Sequence, residues 1–254
     1  MQLIGHRGAR AEMPENTLAG FQYIKDLGLD AVEFDVRQLA DGTLCIVHDD
    51  NFLRTASVEQ NVEQCHVADL AKYNQAWHFQ QSQDAGNLQH LQKYDAFQRT
   101  PTLAETLQII SNFNHIEIEI KAVASPQHAE RLVAQLDKDI QQYFSHRVDA
   151  ITMTSFDAQI LTALQAYPQY QKGLLMELPL AQHTITLAQQ LDCQRIGWRA
   201  DLLTQDLVKQ AHNVGLLVSV WTVNDVEQAK QFQAWGVDGL ISDKVSLMLK
   251  SLNI

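Results

Sequence analysis

A (β/α)8 TIM barrel is the fold this sequence predicts, and three observations predict it. Eight short β-favouring runs recur along the chain, nearly all followed by apolar residues at helical spacing, the rhythm of parallel strands joined by crossover helices. Most of the acidic, basic and imidazole side chains in these runs fall at or just past their ends, where barrel enzymes carry their chemistry. The 254 residues, 46% of them hydrophobic, suffice for one barrel with a full core, so a single domain spanning 1–254 is expected.

The first run, Leu3-Ile4-Gly5-His6-Arg7-Gly8, ends in an imidazole and a guanidinium. After a loop from Ala9 to Met13, Asn16 or Thr17 is a helix N-cap, Leu18, Phe21, Ile24 and Leu27 form one helical face, and Gly28 is the stop. In the second run, Ala31 to Val36, a strand turns Glu33 and Asp35 to one face and Val32, Phe34 and Val36 to the other. Two adjacent carboxylates repel, and a cation is the usual remedy. Asp41-Gly42 is a hairpin signal, and equal arms about it set His48 opposite Asp35. From Asn51 to Arg99 the chain is rich in Gln, Asn, His and Asp and keeps no period, so 51–99 reads as an insertion after the hairpin.

Barrel rhythm resumes at Thr102, whose spacing to Glu105 matches a capping box. In Ile116-Glu117-Ile118-Glu119-Ile120-Lys121 the isoleucines take the outer face, so Glu117, Glu119 and Lys121 point inward, with Glu117 one layer deeper, either behind the carboxylate site or paired at the barrel floor. A helix follows Ser125-Pro126. Further strands are expected at Ala150 to Thr154, Gly173 to Glu177, Arg195 to Trp198, Leu216 to Trp221 and Gly239 to Ser242. Counting the hairpin return separately leaves eight strands. Ser155, Glu177, Trp198 and Trp221 are expected to join His6, Arg7, Glu33, Asp35, Glu119 and Lys121 on one rim.

Charge and cysteine content narrow the function classes. The chain has 19 basic against 30 acidic residues, a net charge of -11, which argues against a nucleic-acid partner or an anionic membrane surface. Any phosphate must therefore be held by a local site. Cys45, Cys65 and Cys193 are odd in number and widely spaced in apolar surroundings, so core thiols are expected rather than disulfides or a zinc knuckle. A strand beginning at Gln2 leaves no room for a cleavable leader, and a cytoplasmic location is expected. No apolar run approaches the length of a membrane span.

His6-Arg7-Gly8, Pro14-Glu15-Asn16-Thr17, Glu33-Phe34-Asp35, Asp41-Gly42, His48-Asp49 with Arg54, Glu119-Ile120-Lys121, Ser155-Phe156, Trp221-Thr222-Val223-Asn224 and Gly236-Val237-Asp238-Gly239 occur in order across nearly the whole chain. In this series the sequence resembles the glycerophosphodiester phosphodiesterase family. It departs from the family at Asp243, followed here by Lys244-Val245 where a proline is usual.

The resemblance implies a metal-dependent hydrolase that splits glycerophosphodiesters, such as glycerophosphocholine or glycerophosphoethanolamine, into an alcohol and sn-glycerol 3-phosphate. It implies Glu33, Asp35 and Glu119 as ligands of a divalent cation. Three carboxylate oxygens suit Mg²⁺ or Ca²⁺, and no thiolate or histidine cluster suits zinc. The competing expectation pairs these acids with Arg7 and Lys121 as buried salt bridges. His6 and His48 resemble the family's base and acid, a pairing suited to a reaction that removes one proton and delivers another. Arg7 and Lys121 resemble phosphate ligands, and Trp221 a wall for the glycerol moiety. The remaining histidines, among them His66, His78, His90, His115 and His212, read as structural. A lipid phosphodiesterase on the same scaffold would need an exposed apolar lip, which the polar insertion argues against; a silent glycerophosphodiester binder is disfavoured by intact His6 and His48.

Overall fold

Alternation along the strands decides which side chains meet at the barrel axis. In the computed structural model, which describes residues 1–86, 88, 91–179 and 181–252, with the side chains of 181 and 182 also outside the description, strand β1 (Gln2–His6) is followed by helix α1 (Leu18–Asp26), then β2 (Ala31–Gln38) and β3 (Leu44–Ile46). Helices α2 (Leu53–Ala56), α3 (Val67–Leu70) and α4 (Trp77–Asp84) come next, and α5 (Leu103–Ile109) leads back to β4 (His115–Ile120). From there strands and helices alternate: α6 (Pro126–Phe144), β5 (Ile151–Ser155), α7 (Ala158–Leu164), β6 (Gln171–Met176), α8 (Ala181–Gln190), β7 (Arg195–Arg199), α9 (Gln205–Asn213), β8 (Leu217–Trp221), α10 (Val226–Trp235), β9 (Gly239–Ser242) and α11 (Val245–Leu252).

Parallel pairing runs β1-β2-β4-β5-β6-β7-β8-β9 and returns from β9 to β1, so eight parallel strands close a barrel, with β3 added antiparallel to β2. This is the (β/α)8 TIM barrel that the strand count predicts. The outward residues Val32, Phe34, Val36, Ile116, Ile118 and Ile120 are buried in the layer beneath the helices. The same register sets Glu33 beside Glu117 and Asp35 beside Glu119 on the inner face. Helix ends follow the sequence signals: Thr17 Oγ1 accepts from Gly20 N at 3.1 Å, and Thr102 and Glu105 close a capping box.

The hairpin differs by one residue from the equal-arm expectation. Its register pairs Val36 with Ile46, and Val47 N donates to Asp35 O at 3.1 Å, so Val47 rather than His48 lies opposite Asp35. The reason is the turn: Leu39 N reaches Thr43 O at 2.9 Å across residues 39–43, so the loop centres on Asp41 and not between Asp41 and Gly42.

Segment 51–99 builds a small second core together with the hairpin. Phe52, Ala56, Val62, Cys65 and Leu70 pack with Leu39, Cys45 and Val47 from the hairpin, and Phe52 meets Tyr73 at a ring separation of 4.9 Å. Its helices α2 and α3 have four residues each, too short to express a period. Among the histidines read as structural, His115 bonds Glu117 and His212 bonds Asp238; His90 lies outside the described residues. All three cysteines are buried and free.

The barrel floor settles the position of Glu117. It is 1% exposed, and its Oε1 accepts from His115 Nε2 and Ser219 Oγ at 3.0 Å, with Arg195 Nε at 3.7 Å. Burial alone would raise its pKa, but the His115 hydrogen bond and the Arg195 charge hold it below the ordinary carboxylate value. Glu117→Ala leaves the Arg195 guanidinium buried without its counter-charge. A loss of about 3–5 kcal/mol in unfolding free energy is expected, and chemical denaturation measures it. Two of the residues expected on the rim are elsewhere. Trp198 is 1% exposed in the outer core because it shares the parity of Ile196, while Arg195 and Gly197 face inward. Ser155 is fully buried, donating to Ile120 O at 2.7 Å and accepting from Asp157 N at 3.0 Å, so it ties two strands together.

Candidate active site

The turn after β1 is bent hard enough to bring both of its ends to the carboxylates. Arg7 and Gly8 have φ of +50° and +89°, and a side chain on Gly5 would lie 2.2 Å from Gly8 O, so only glycine lets the chain fold back there. As a result Arg7 N donates to Glu33 Oε2 at 3.1 Å, and Asn16 N returns to Arg7 O at 3.0 Å. Asn16, itself at φ +55°, donates from Nδ2 to Asp35 Oδ2 at 2.8 Å.

Glu33, Asp35 and Glu119 each offer a carboxylate oxygen, and the three oxygens lie within 4.8 Å of one another. All three residues are buried, with Asp35 at 0% exposure. Burial, with Asp35 and Glu119 nearby, pushes the Glu33 carboxyl well above its ordinary pKa. Asp35 goes the other way: burial would raise it, but Lys121 and Arg7 overcome that and hold it well below the carboxylate range. Lys121 Nζ stands 2.6 Å from Asp35 Oδ1 and contacts Glu119, while Arg7 Nε is 3.1 Å from Asp35 Oδ2. The expected salt bridges and the expected carboxylate cluster are thus both present. Yet Asp35 Oδ1 and Arg7 Nε, close as they are to opposite charges, have no aligned hydrogen-bond partner. A buried set of three carboxylates whose oxygens converge within 4.8 Å fits a hard divalent cation.

Each imidazole on this rim has its own carboxylate. His6 Nδ1 donates to Asp243 Oδ1 at 2.6 Å, which leaves Nε2, 3.9 Å from Glu33 Oε2, as the acceptor of the neutral ring. Burial lowers the His6 pKa, against the opposing pull of Asp243. Asp243 is fixed in turn by Asn224 Nδ2 at 2.7 Å and by its own N–H on Asn224 Oδ1 at 2.9 Å. His48 Nδ1 donates to Asp49 Oδ1 at 2.7 Å, and Asp49 is held by Arg54 Nε at 2.7 Å. The Arg54 fork also grips Glu15 with two bonds of 2.8 Å, and Glu15 takes Arg7 at 2.9 Å.

These groups surround a cavity of about 260 Å³ lined by His6, Arg7, Glu33, His48, Glu119, Glu177 and Trp221 among others. Asp35 and Lys121 lie behind its wall. Trp221 donates from Nε1 to Gly197 O at 3.1 Å and meets Phe156 edge-on at 5.5 Å, so it stands as a rigid apolar wall. Thr154 adds a buried hydroxyl without a partner.

The family model for the glycerophosphoryl diester phosphodiesterase family matches residues 6–247. The chain belongs to that family. A glycerophosphodiester phosphodiesterase of Caldanaerobacter subterraneus subsp. tengcongensis is 30% identical over 246 residues, 95% of this chain and 93% of its own. One from Bacillus subtilis is 25% identical over 253 residues, 97% of this chain and 85% of its own. Among solved structures, an Oleispira antarctica phosphodiesterase in complex with the product sn-glycerol-3-phosphate superposes with a TM-score of 0.84 at 23% identity, over 100% of this chain and 97% of that one. The protein is accordingly an enzyme of the glycerophosphoryl diester phosphodiesterase family. Among the described residues, no helix is long and apolar enough to cross a membrane.

Sequence reasoning placed Glu15, Asp49, Arg54 and Asn224 in motifs but gave no role to the residues that hold the site's own side chains in place. Asp243 and Asn224 orient His6, Asp49 orients His48, and Glu15 gathers Arg7, Arg10 and Arg54. A usable signal existed for Asp243: it follows the last strand of a closed barrel, so it must end beside the first.

Proposed function

We propose that the protein hydrolyses glycerophosphodiesters to an alcohol and sn-glycerol 3-phosphate, with His6 as general base, His48 as general acid, and Glu33, Asp35 and Glu119 holding Mg²⁺ or Ca²⁺. The observation that carries this reading is the pair of imidazoles, each fixed by its own carboxylate, on a cavity bordered by the three-carboxylate set. A cation bound there would polarise the phosphate and lower the pKa of the attacking oxygen. His6, neutral because of its burial and with Nε2 free to accept, takes the proton from that oxygen. His48, half-exposed, returns a proton to the departing alkoxide. Arg7 supplies positive charge to the phosphate oxygens as negative charge builds on them, and Lys121, with Arg7, holds Asp35 ionised against its burial. Trp221 walls the glycerol moiety. The Oleispira antarctica complex with sn-glycerol-3-phosphate supports the product assignment by likeness of fold.

Release of sn-glycerol 3-phosphate from glycerophosphoethanolamine, followed with and without chelator, tests the reading. Turnover should vanish with chelator and return with Mg²⁺ or Ca²⁺; full activity after exhaustive chelation would refute the metal assignment. Asp243→Asn should slow turnover by up to about 100-fold, less than removal of the imidazole itself. Because Asp243 raises the His6 pKa, its loss should also move the acid limb of the pH profile to lower pH, a shift that a purely structural role would not produce.

A second reading is favoured by one observation. Phe156 and Leu178, on the loops after β5 and β6, are 39% and 55% exposed beside Trp221 and Glu177. They supply the apolar lip that the polar insertion lacks, and it suits a glycerol bearing one acyl chain. Release of choline from lysophosphatidylcholine at a rate comparable with that from glycerophosphocholine would support it, and no release would exclude it.

A further inference from the structure

A second cavity of about 330 Å³ lies between the β1 turn, segment 51–99 and Asp243. Two features tie it to the first. Arg10 lines both cavities, and Asp243, on the wall of the second, holds His6 on the wall of the first. A phosphodiester whose glycerol rests on Trp221 must direct its other arm away from that wall, and Arg10 stands where the two cavities adjoin.

The chemistry of that space is specific. Gln75 lines it and is 2% exposed; its amide oxygen accepts from Thr55 Oγ1 at 3.2 Å and Thr100 Oγ1 at 3.1 Å, while its Nε2 is buried with no partner. A buried donor left unmade is costly, so a ligand in the cavity that meets the amide when the Gln75 side chain turns toward it is favoured. If the amide turned over, its nitrogen would serve the threonines and its oxygen would be the free end. A hydroxyl meets either orientation, since it both donates and accepts. A quaternary ammonium meets neither.

Charge argues the same way. The two carboxylates on the wall are already engaged, Glu15 by Arg7, Arg10 and Arg54, and Asp243 by His6 and Asn224. Arg10 itself adds positive charge. Besides His78, Phe79 is the one aromatic residue among the described lining, so no aromatic cage for a methylated ammonium is formed.

We infer that the second cavity receives the departing alcohol and selects one that carries free hydroxyls over one that carries a quaternary ammonium. This rests on the phosphodiesterase reading above and adds the substrate class to it. The wild-type enzyme should show kcat/KM at least about tenfold higher for glycerophosphoglycerol than for glycerophosphocholine. Gln75→Met should erase most of that preference by slowing glycerophosphoglycerol alone, leaving glycerophosphocholine within about twofold. Gln75→Glu keeps an acceptor for Thr55 and Thr100 and is used once circular dichroism shows that it folds. It removes the donor, adds a negative charge, and should move the ratio toward choline. Equal wild-type rates on both substrates, or a ratio unchanged in either folded variant, would overturn the subsite while leaving the phosphodiesterase reading intact. Failure of the wild type to cleave either substrate would overturn both together.

Discussion

His6→Ala should be slow on every glycerophosphodiester, whereas His48→Ala should be slow only where the leaving group needs a proton. Loss of a general base or acid costs about 10²–10⁴ in rate, so both variants should fall by that order on glycerophosphoethanolamine, whose alkoxide leaves poorly. On a glycerophospho-nitrophenol analogue the departing phenolate needs no proton, and His48→Ala should recover most of its rate. His6→Ala should not, because no leaving group replaces a missing base. The geometry separates the two roles: His6 is buried, lowered in pKa and locked by Asp243 with Nε2 as acceptor, while His48 is half-exposed just past the strand that returns from the hairpin. Rescue of His6→Ala instead of His48→Ala would exchange the roles, and rescue of neither would contradict acid and base catalysis by this pair.

Asp35→Asn should abolish metal dependence along with activity, by at least about 100-fold in each. Asp35 is the residue on which the site converges: Lys121 at 2.6 Å, Asn16 at 2.8 Å and Arg7 at 3.1 Å all address it, and it is one of the three converging carboxylates. Asparagine keeps the shape and removes the charge. Lys121 retains Glu119 and Arg7 retains Glu15, so the fold should persist, as circular dichroism would register. Unchanged turnover at micromolar metal would remove Asp35 from the metal site.

Much of this arrangement was legible in the chain because strand parity leaves little choice. In β2 and β4 every second residue is a large apolar one, and burying Val32, Phe34, Ile116 and Ile118 outward forces Glu33, Asp35, Glu117 and Glu119 toward the axis. Parity also explains where reading by strand end failed. Trp198 closes its run but shares the face of Ile196, so it packs under the helices. Glycine at 197 leaves the inward space that Trp221 crosses, a side chain there being 3.6 Å from Trp221 Cδ1.

What the sequence hid was mostly long-range. His6 and Asp243 are 237 residues apart and become neighbours only because β9 closes on β1. Lys244-Val245 drew attention as a departure from the family pattern, while the aspartate before them carried the structural role. The small core under segment 51–99 escaped notice for a different reason. Its apolar residues come from short helices and loops, so no window shows a period, and three of the eight buried residues belong to the hairpin. Gln75, inside that segment, has no local signature at all; its meaning lies in the two threonines that occupy one end of its amide.

The most direct test of the central claim is the identity of the phosphorus-bearing product. Glycerophosphoethanolamine hydrolysed by the metal-loaded enzyme and followed by ³¹P NMR should give sn-glycerol 3-phosphate and free ethanolamine, since the reading seats glycerol against Trp221 and sends the other alcohol away protonated by His48. Appearance of phosphoethanolamine and glycerol instead would contradict it, because the bond broken would then be the one on the glycerol side of phosphorus.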